Sequence, residues 1–182
     1  EMAGKASMAM AMLDEGAGKL DALEISDQLA LLGAQIGTGV SLDTASVSLS
    51  ALSENLDESL ELFATIVLEP SFPDEELERM RSQYLSLIEQ EKSTPTNMAL
   101  RLLPGLLYGD DHAYSQPLTG SGTEASIKAV TRVNLVDWHT TWFRPNNATL
   151  VVVGDTTIEQ IKPRIEALFE SWTPAAVPEK NI

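Results

Sequence analysis

The chain has 182 residues, of which 43% are hydrophobic, and its twenty-seven acids against twelve Lys and Arg give a net charge of −15. That acidity repels phosphate backbones and anionic headgroups and so excludes nucleic acid and membrane surfaces as partners, while the lack of cysteine rules out disulfides, thiol nucleophiles and thiolate-bound metal. No apolar run approaches the ~20 residues of a membrane-spanning helix, and the length suits one domain, or one domain plus the edge of another, with a substantial core.

Residues 1–4 carry no cap, as if cut from a longer protein, so the lack of a targeting segment leaves the compartment open between bacterial periplasm and cytoplasm. A first helix is predicted from Lys5 to about Asp14, stopped by Gly16. Its segment Ser7–Gly16, SMAMAMLDEG, is unusual, because three methionines and small residues precede its only charges. Asp21 and Glu24 form a capping box for a helix to Leu32, which Gly33 ends. The stretches AQIGTGVSL and TASVSLSALS then read as a hairpin turning near Asp43, the second alternating Ala45, Val47, Leu49 and Ala51 with serines.

A second capping box, Asn55 with Glu58, predicts a helix to Pro70 with Leu56, Leu60, Phe63, Ile66 and Val67 on one face. Pro73 and an acid cluster open the next helix, whose stripe of Leu77, Met80, Tyr84, Leu87 and Ile88 runs until just before Pro95. One more helix is expected over 96–107, followed by the loop YGDDHAYSQPLTGSG. Short helices should open near Thr123 and at Thr131, the latter closing before Pro145. NATLVVVGD is the clearest buried strand, with Val151, Val152 and Val153 expected to be internal. Thr156 with Glu159 should cap a last helix ending near Trp172, and the two prolines of TPAAVPEKNI mark a linker.

Candidate chemistry is sparse. His112 beside Asp110 and Asp111 is one possible divalent-ion set, but three adjacent residues do not converge on a metal unaided. His139, near Trp138 and Trp142, reads as a packing residue. GSGTEAS at 120–126 lacks the lysine of a phosphate loop and places Glu124 where phosphate would sit, so it reads as a turn and cap. No G-x-S-x-G nucleophile elbow occurs.

Taken in order, MLDEGAGKLDALEISDQLALLGAQIGTGVSLDTASVSLSAL, FPDEELERMRSQYLSLIEQEKSTP and YGDDHAYSQPLTGSGTEASIKAVTRVNLVDWHTTWFRPNNATLVVVGDTT resemble the insulinase/pitrilysin family of zinc peptidases. The likeness covers nearly all of residues 4–172 and is most specific in the final block. It implies an α+β fold, a two-layer domain with a mostly antiparallel sheet and helices packed on one face (the LuxS/mitochondrial processing peptidase-like metallohydrolase fold), its amino-terminal strands missing. The domain would span residues 1–172, with 173–182 as a linker to a following domain.

In active members the helix just upstream of the Met12-Leu13 match carries H-x-x-E-H. Histidines at i and i+4 share one helix face and bind zinc, and the glutamate takes a proton from metal-bound water. Those positions fall here on Ser7, Met10 and Ala11, none of which does that work. The third ligand, a glutamate, would fall near Ser86 or Leu87, with Glu89 close by. The resemblance therefore implies a non-catalytic domain, with no catalytic or metal residues of its own. It would help enclose a peptide substrate while zinc sits on another domain or subunit of the family. Peptide would lie along the edge strand at Ile36, Gly37, Thr38 and Gly39, although the family's usual Asn is Gly37 here. An assembly subunit of the same fold without a peptidase role is the alternative, and a small-molecule binding domain a third reading.

Overall fold

The computed structural model describes residues 2–109 and 111–179. Helix α1 (Lys5–Ala11) is shorter than expected, and a turn carries the chain through Met12 and Leu13, both buried, to Asp14. A two-stranded hairpin that the pattern did not announce, β1 (Gly16–Ala17) and β2 (Leu20–Asp21), turns at Gly18, whose φ of 58° suits glycine. The Asp21 carboxylate then accepts from the Glu24 N–H at 2.8 Å and Glu24 accepts from the Asp21 N–H at 3.0 Å, forming the expected capping box of α2 (Ala22–Leu32). Gly33 ends α2 in the left-handed region.

Strands β3 (Gln35–Val40) and β4 (Ala45–Ser50) pair antiparallel in the register Gln35 to Ser50. Their turn is held by Ser41, whose hydroxyl accepts from the Thr44 N–H at 3.1 Å. Ile36 and Val47 lean on the core from one face, as the period-2 pattern requires. The expected Asn55 and Glu58 box does not form. A 3₁₀ turn, Ser53–Asn55, precedes α3 (Leu56–Leu68), and the Asn55 amide donates instead to the Leu32 carbonyl at 3.0 Å, satisfying the end of α2. The apolar stripe of α3 is buried as read, through Leu60, Phe63, Ile66 and Val67.

Helix α4 (Asp74–Ser93) begins with three acids on its positive end and buries Leu77, Met80 and Ile88. Pro95 starts α5 (Pro95–Tyr108). Capping boxes at Thr123 and Thr131 open α6 (Glu124–Ala129) and α7 (Arg132–Trp142). The Arg81 guanidinium donates to the Ile127 and Val130 carbonyls, at 2.7 Å for the latter, and so pins the end of α6 to α4. Helix α8 (Ile158–Leu168) is capped one residue later than expected, with Gln160 accepting from the Thr157 N–H at 3.2 Å. It also ends before Trp172. The core joins α1, α2, α3, α4, α6 and α7 around Met8, Met10, Met12, Ile66, Phe72 and Ile88. The outcome is a mixed α/β architecture with small antiparallel sheets.

The largest departure from expectation is a strand. The 149–153 run forms no strand, and Val151 and Val153 are 77% and 92% exposed. An apolar run becomes an internal strand only when neighbouring strands take its N–H and C=O groups, and among the described residues none pairs with it. Beyond α8, Ala175 exchanges two hydrogen bonds with the Asn146 side chain, at 3.0 and 3.2 Å.

Candidate functional site

Ser7, Met10 and Ala11 converge. Spaced by three and four residues, they share one face of α1, and all three line a groove of about 290 Å³. The groove is completed by residues 38–42 of β3 and its turn, by Tyr84 of α4 and by residues 117–120. No lining side chain is charged, in a chain that is 21% charged. Burial pushes the Tyr84 phenol up, so its hydroxyl stays neutral.

Thr38 and Gly39 of the proposed edge strand belong to this groove, whereas Ile36 leans on the core and Gly37 is exposed. Ser86 and Leu87 lie elsewhere, exposed on the outer face of α4 with Ser82, Gln83 and Gln90. Glu89 is exposed too, and pairs with Lys92 at 2.9 Å. Helix geometry explains the difference. Tyr84 and Ile88, one turn apart, face inward, whereas Ser86 lies about 200° round the helix from Tyr84 and Leu87 about 100° round from Ile88, so both turn outward. Sequence register alone therefore missed Tyr84 as the α4 residue beside Ser7, although it stood in the apolar stripe.

These side chains do not fit zinc. A hydroxyl, a thioether, a methyl group and a neutral phenol lack the imidazole and carboxylate donors that hold the ion. Among the described residues no group of three or more His, Asp or Glu is placed to bind a metal. His112 is otherwise engaged, since its Nδ1 accepts from the Tyr114 N–H at 3.1 Å and its ring stacks on Tyr108 at 4.9 Å. Asp110 lies outside the described residues. His139 is a core residue, bonded through Nε2 to the Val67 carbonyl at 2.8 Å and packed on Phe143. The 120–126 segment is a turn and cap, and Glu124 pairs with Lys92 and Lys128.

The chain that builds this groove is similar in sequence and fold to known proteins. The sequence model of the insulinase family, peptidase family M16, matches residues 1–120. The chain belongs to that family. The model described as the peptidase M16 inactive domain matches residues 129–181. A Helicobacter pylori protein named non-peptidase homolog YmxG is 24% identical over 162 residues, which are 89% of this chain and 37% of that protein. A Bacillus subtilis protein named uncharacterized zinc protease YmxG is 22% identical over 161 residues, 88% of this chain and 38% of that one. The crystal structure of a peptidase M16 inactive domain from Pseudomonas fluorescens superposes with a TM-score of 0.91 at 28% identity, covering 99% of this chain and 43% of that one. This chain thus spans about two-fifths of the length of these relatives.

Proposed function

We propose that this chain is a non-catalytic M16 domain that helps enclose and bind an extended peptide, while zinc-dependent hydrolysis occurs on another domain or subunit of the family. The observation that carries the reading is the groove itself. The three motif positions meet in one neutral cleft beside β3, and Tyr84, not a carboxylate, comes to it from α4. A cleft with no buried charge accepts a peptide without desolvating an unpaired ion. Strand β3 has β4 on one side only among the described residues, so main-chain hydrogen bonds from Ile36 to Gly39 are available to an added strand. On this reading residues 1–172 are the domain and 173–182 lead onward, with the docked Ala175 setting the direction of departure.

The test is metal analysis combined with fluorescence anisotropy on a pool of labelled, unstructured nonapeptides. Saturable binding with substoichiometric zinc and intact peptides is expected. Stoichiometric zinc together with cleavage would overturn the proposal. A second reading, an assembly subunit of the same fold, is favoured by the exposed apolar run at 150–153 and by exposed leucines of α5, since contiguous apolar surface marks interaction sites. Co-purification separates the two. The first reading expects a partner or domain bearing H-x-x-E-H, the second expects unrelated subunits.

A further inference from the structure

The groove has a roof, and the roof is fastened from a distance. Residues 117–120 close it over Ser7, and the approach relies on glycine. Gly120 and Gly122 both have φ of 73°, where L side chains are strained. A Cβ at Gly120 would lie 3.0 Å from the Ser7 Oγ, and one at Gly122 would lie 2.6 Å from the Ala3 carbonyl oxygen. The loop therefore rests directly on the start of α1.

Behind it stands a buried ionic cluster outside the groove. Glu91 of α4 is 3% exposed and Ser121 of the loop 1%. The Arg101 guanidinium of α5 donates through Nη1 to Glu91 Oε2 at 2.5 Å and to Ser121 Oγ at 2.6 Å, and through Nη2 to the Gly122 carbonyl at 2.8 Å. Ser121 Oγ in turn donates to Glu91 Oε2 at 2.7 Å. Stability alone does not call for such a cluster, because apolar side chains of similar volume serve as well or better. A planar guanidinium fork adds direction, fixing a serine side chain and a backbone carbonyl of one loop relative to one carboxylate.

We infer that Arg101 is a positioning residue for the groove: with Glu91 as counter-ion, it sets the height of residues 117–122 over Ser7. Its consequence for peptide affinity rests on the function proposed above, but the placement of the roof does not. The chain has no cysteine, so Ser7→Cys provides a single thiol under the roof. Its rate of reaction with N-ethylmaleimide, measured in the intact chain, reads the roof directly. In the Glu91→Met/Arg101→Met background, labelling should run about tenfold faster, the opening expected when hydrogen bonds of ordinary net strength are lost. Ser121→Ala, which keeps the ion pair, should shift it the same way by less. Arg101→Lys, which retains the charge but not the fork, should fall between the natural chain and the double variant. Equal labelling rates in the natural and doubly apolar backgrounds, or in the natural and Ser121→Ala backgrounds if the double variant does not fold, overturn the inference. Absence of peptide binding by the unaltered chain would instead sink the function it builds on.

Discussion

The α1 face and the α4–α5 contact both adjoin the loop 117–122, yet one holds methionine, alanine and a lone hydroxyl while the other holds an ion pair with a serine clasped to it. Both exclude water from their inner side chains. The difference lies in partners. At Glu91 every charge meets an opposite charge or a hydrogen bond, so the desolvation of a carboxylate is offset. Beside Ser7 and Ala11 no such partner reaches in from α4, and a carboxylate at Met10 would stand alone. Uncharged, adaptable methionine is the side chain that fills such a place without a polar group to satisfy.

The largest expected effect comes from breaking the charged side of this comparison. Arg101→Met alone leaves Glu91 buried and unpaired, and should cost about 3–5 kcal/mol in urea unfolding. The matched Glu91→Met/Arg101→Met chain should lose far less. Equal losses would mean that packing, not the pair, holds the contact.

Next comes the converse experiment. Met10→Glu puts a carboxylate at a position 1% exposed. It should cost roughly 2–3 kcal/mol near neutral pH, and part of the loss should return on acidification as the new carboxyl takes up a proton. A stable variant at pH 7 would show that the α1 face tolerates charge, and the contrast between the two regions would fail.

What could be read from the sequence follows the range of the interaction. The capping box at Asp21, the helix starts at Thr123 and Thr131 and the stripe of α3 depend on residues three or four apart, and they stand as read. The hairpin of β3 and β4 is equally local. Asn55 misled because its amide had a better partner in Leu32, twenty-three residues away in sequence. Val151 to Val153 misled because burial of a strand is decided by its neighbours, which periodicity does not name. At the site, Ser7, Met10 and Ala11 fell on one face through helix spacing. Tyr84 required the rotation of α4, and Arg101 required a contact spanning twenty residues to Ser121 that no local pattern encodes.

A smaller effect compares one chemical change in both regions. Ser121→Ala removes a buried hydroxyl that bridges Arg101 and Glu91, so it should cost about 1–2 kcal/mol by thermal or urea unfolding. Ser7→Ala removes a hydroxyl that faces the groove and should stay within about 0.5 kcal/mol of the natural chain. Similar costs would erase the distinction between a satisfied cluster and an uncharged groove face.

The smallest effect is visible only against pH. His139 is a third kind of buried polar group, neutral and held by one hydrogen bond to Val67. Burial lowers its pKa below the ordinary 6.5, the bond to the Val67 carbonyl opposes that, and the positive charge of Arg144 adds to the lowering. The unfolded chain therefore takes up the proton first as pH falls. The stability that neutral His139 contributes is fully present above about 6.5 and is lost as pH drops from there toward the folded value. Thermal unfolding at pH 7.5 and at pH 5 should show a fall that His139→Gln reduces, since glutamine keeps a donor for Val67 but has no proton to gain. A fall of the same size in both chains would place the titrating group elsewhere.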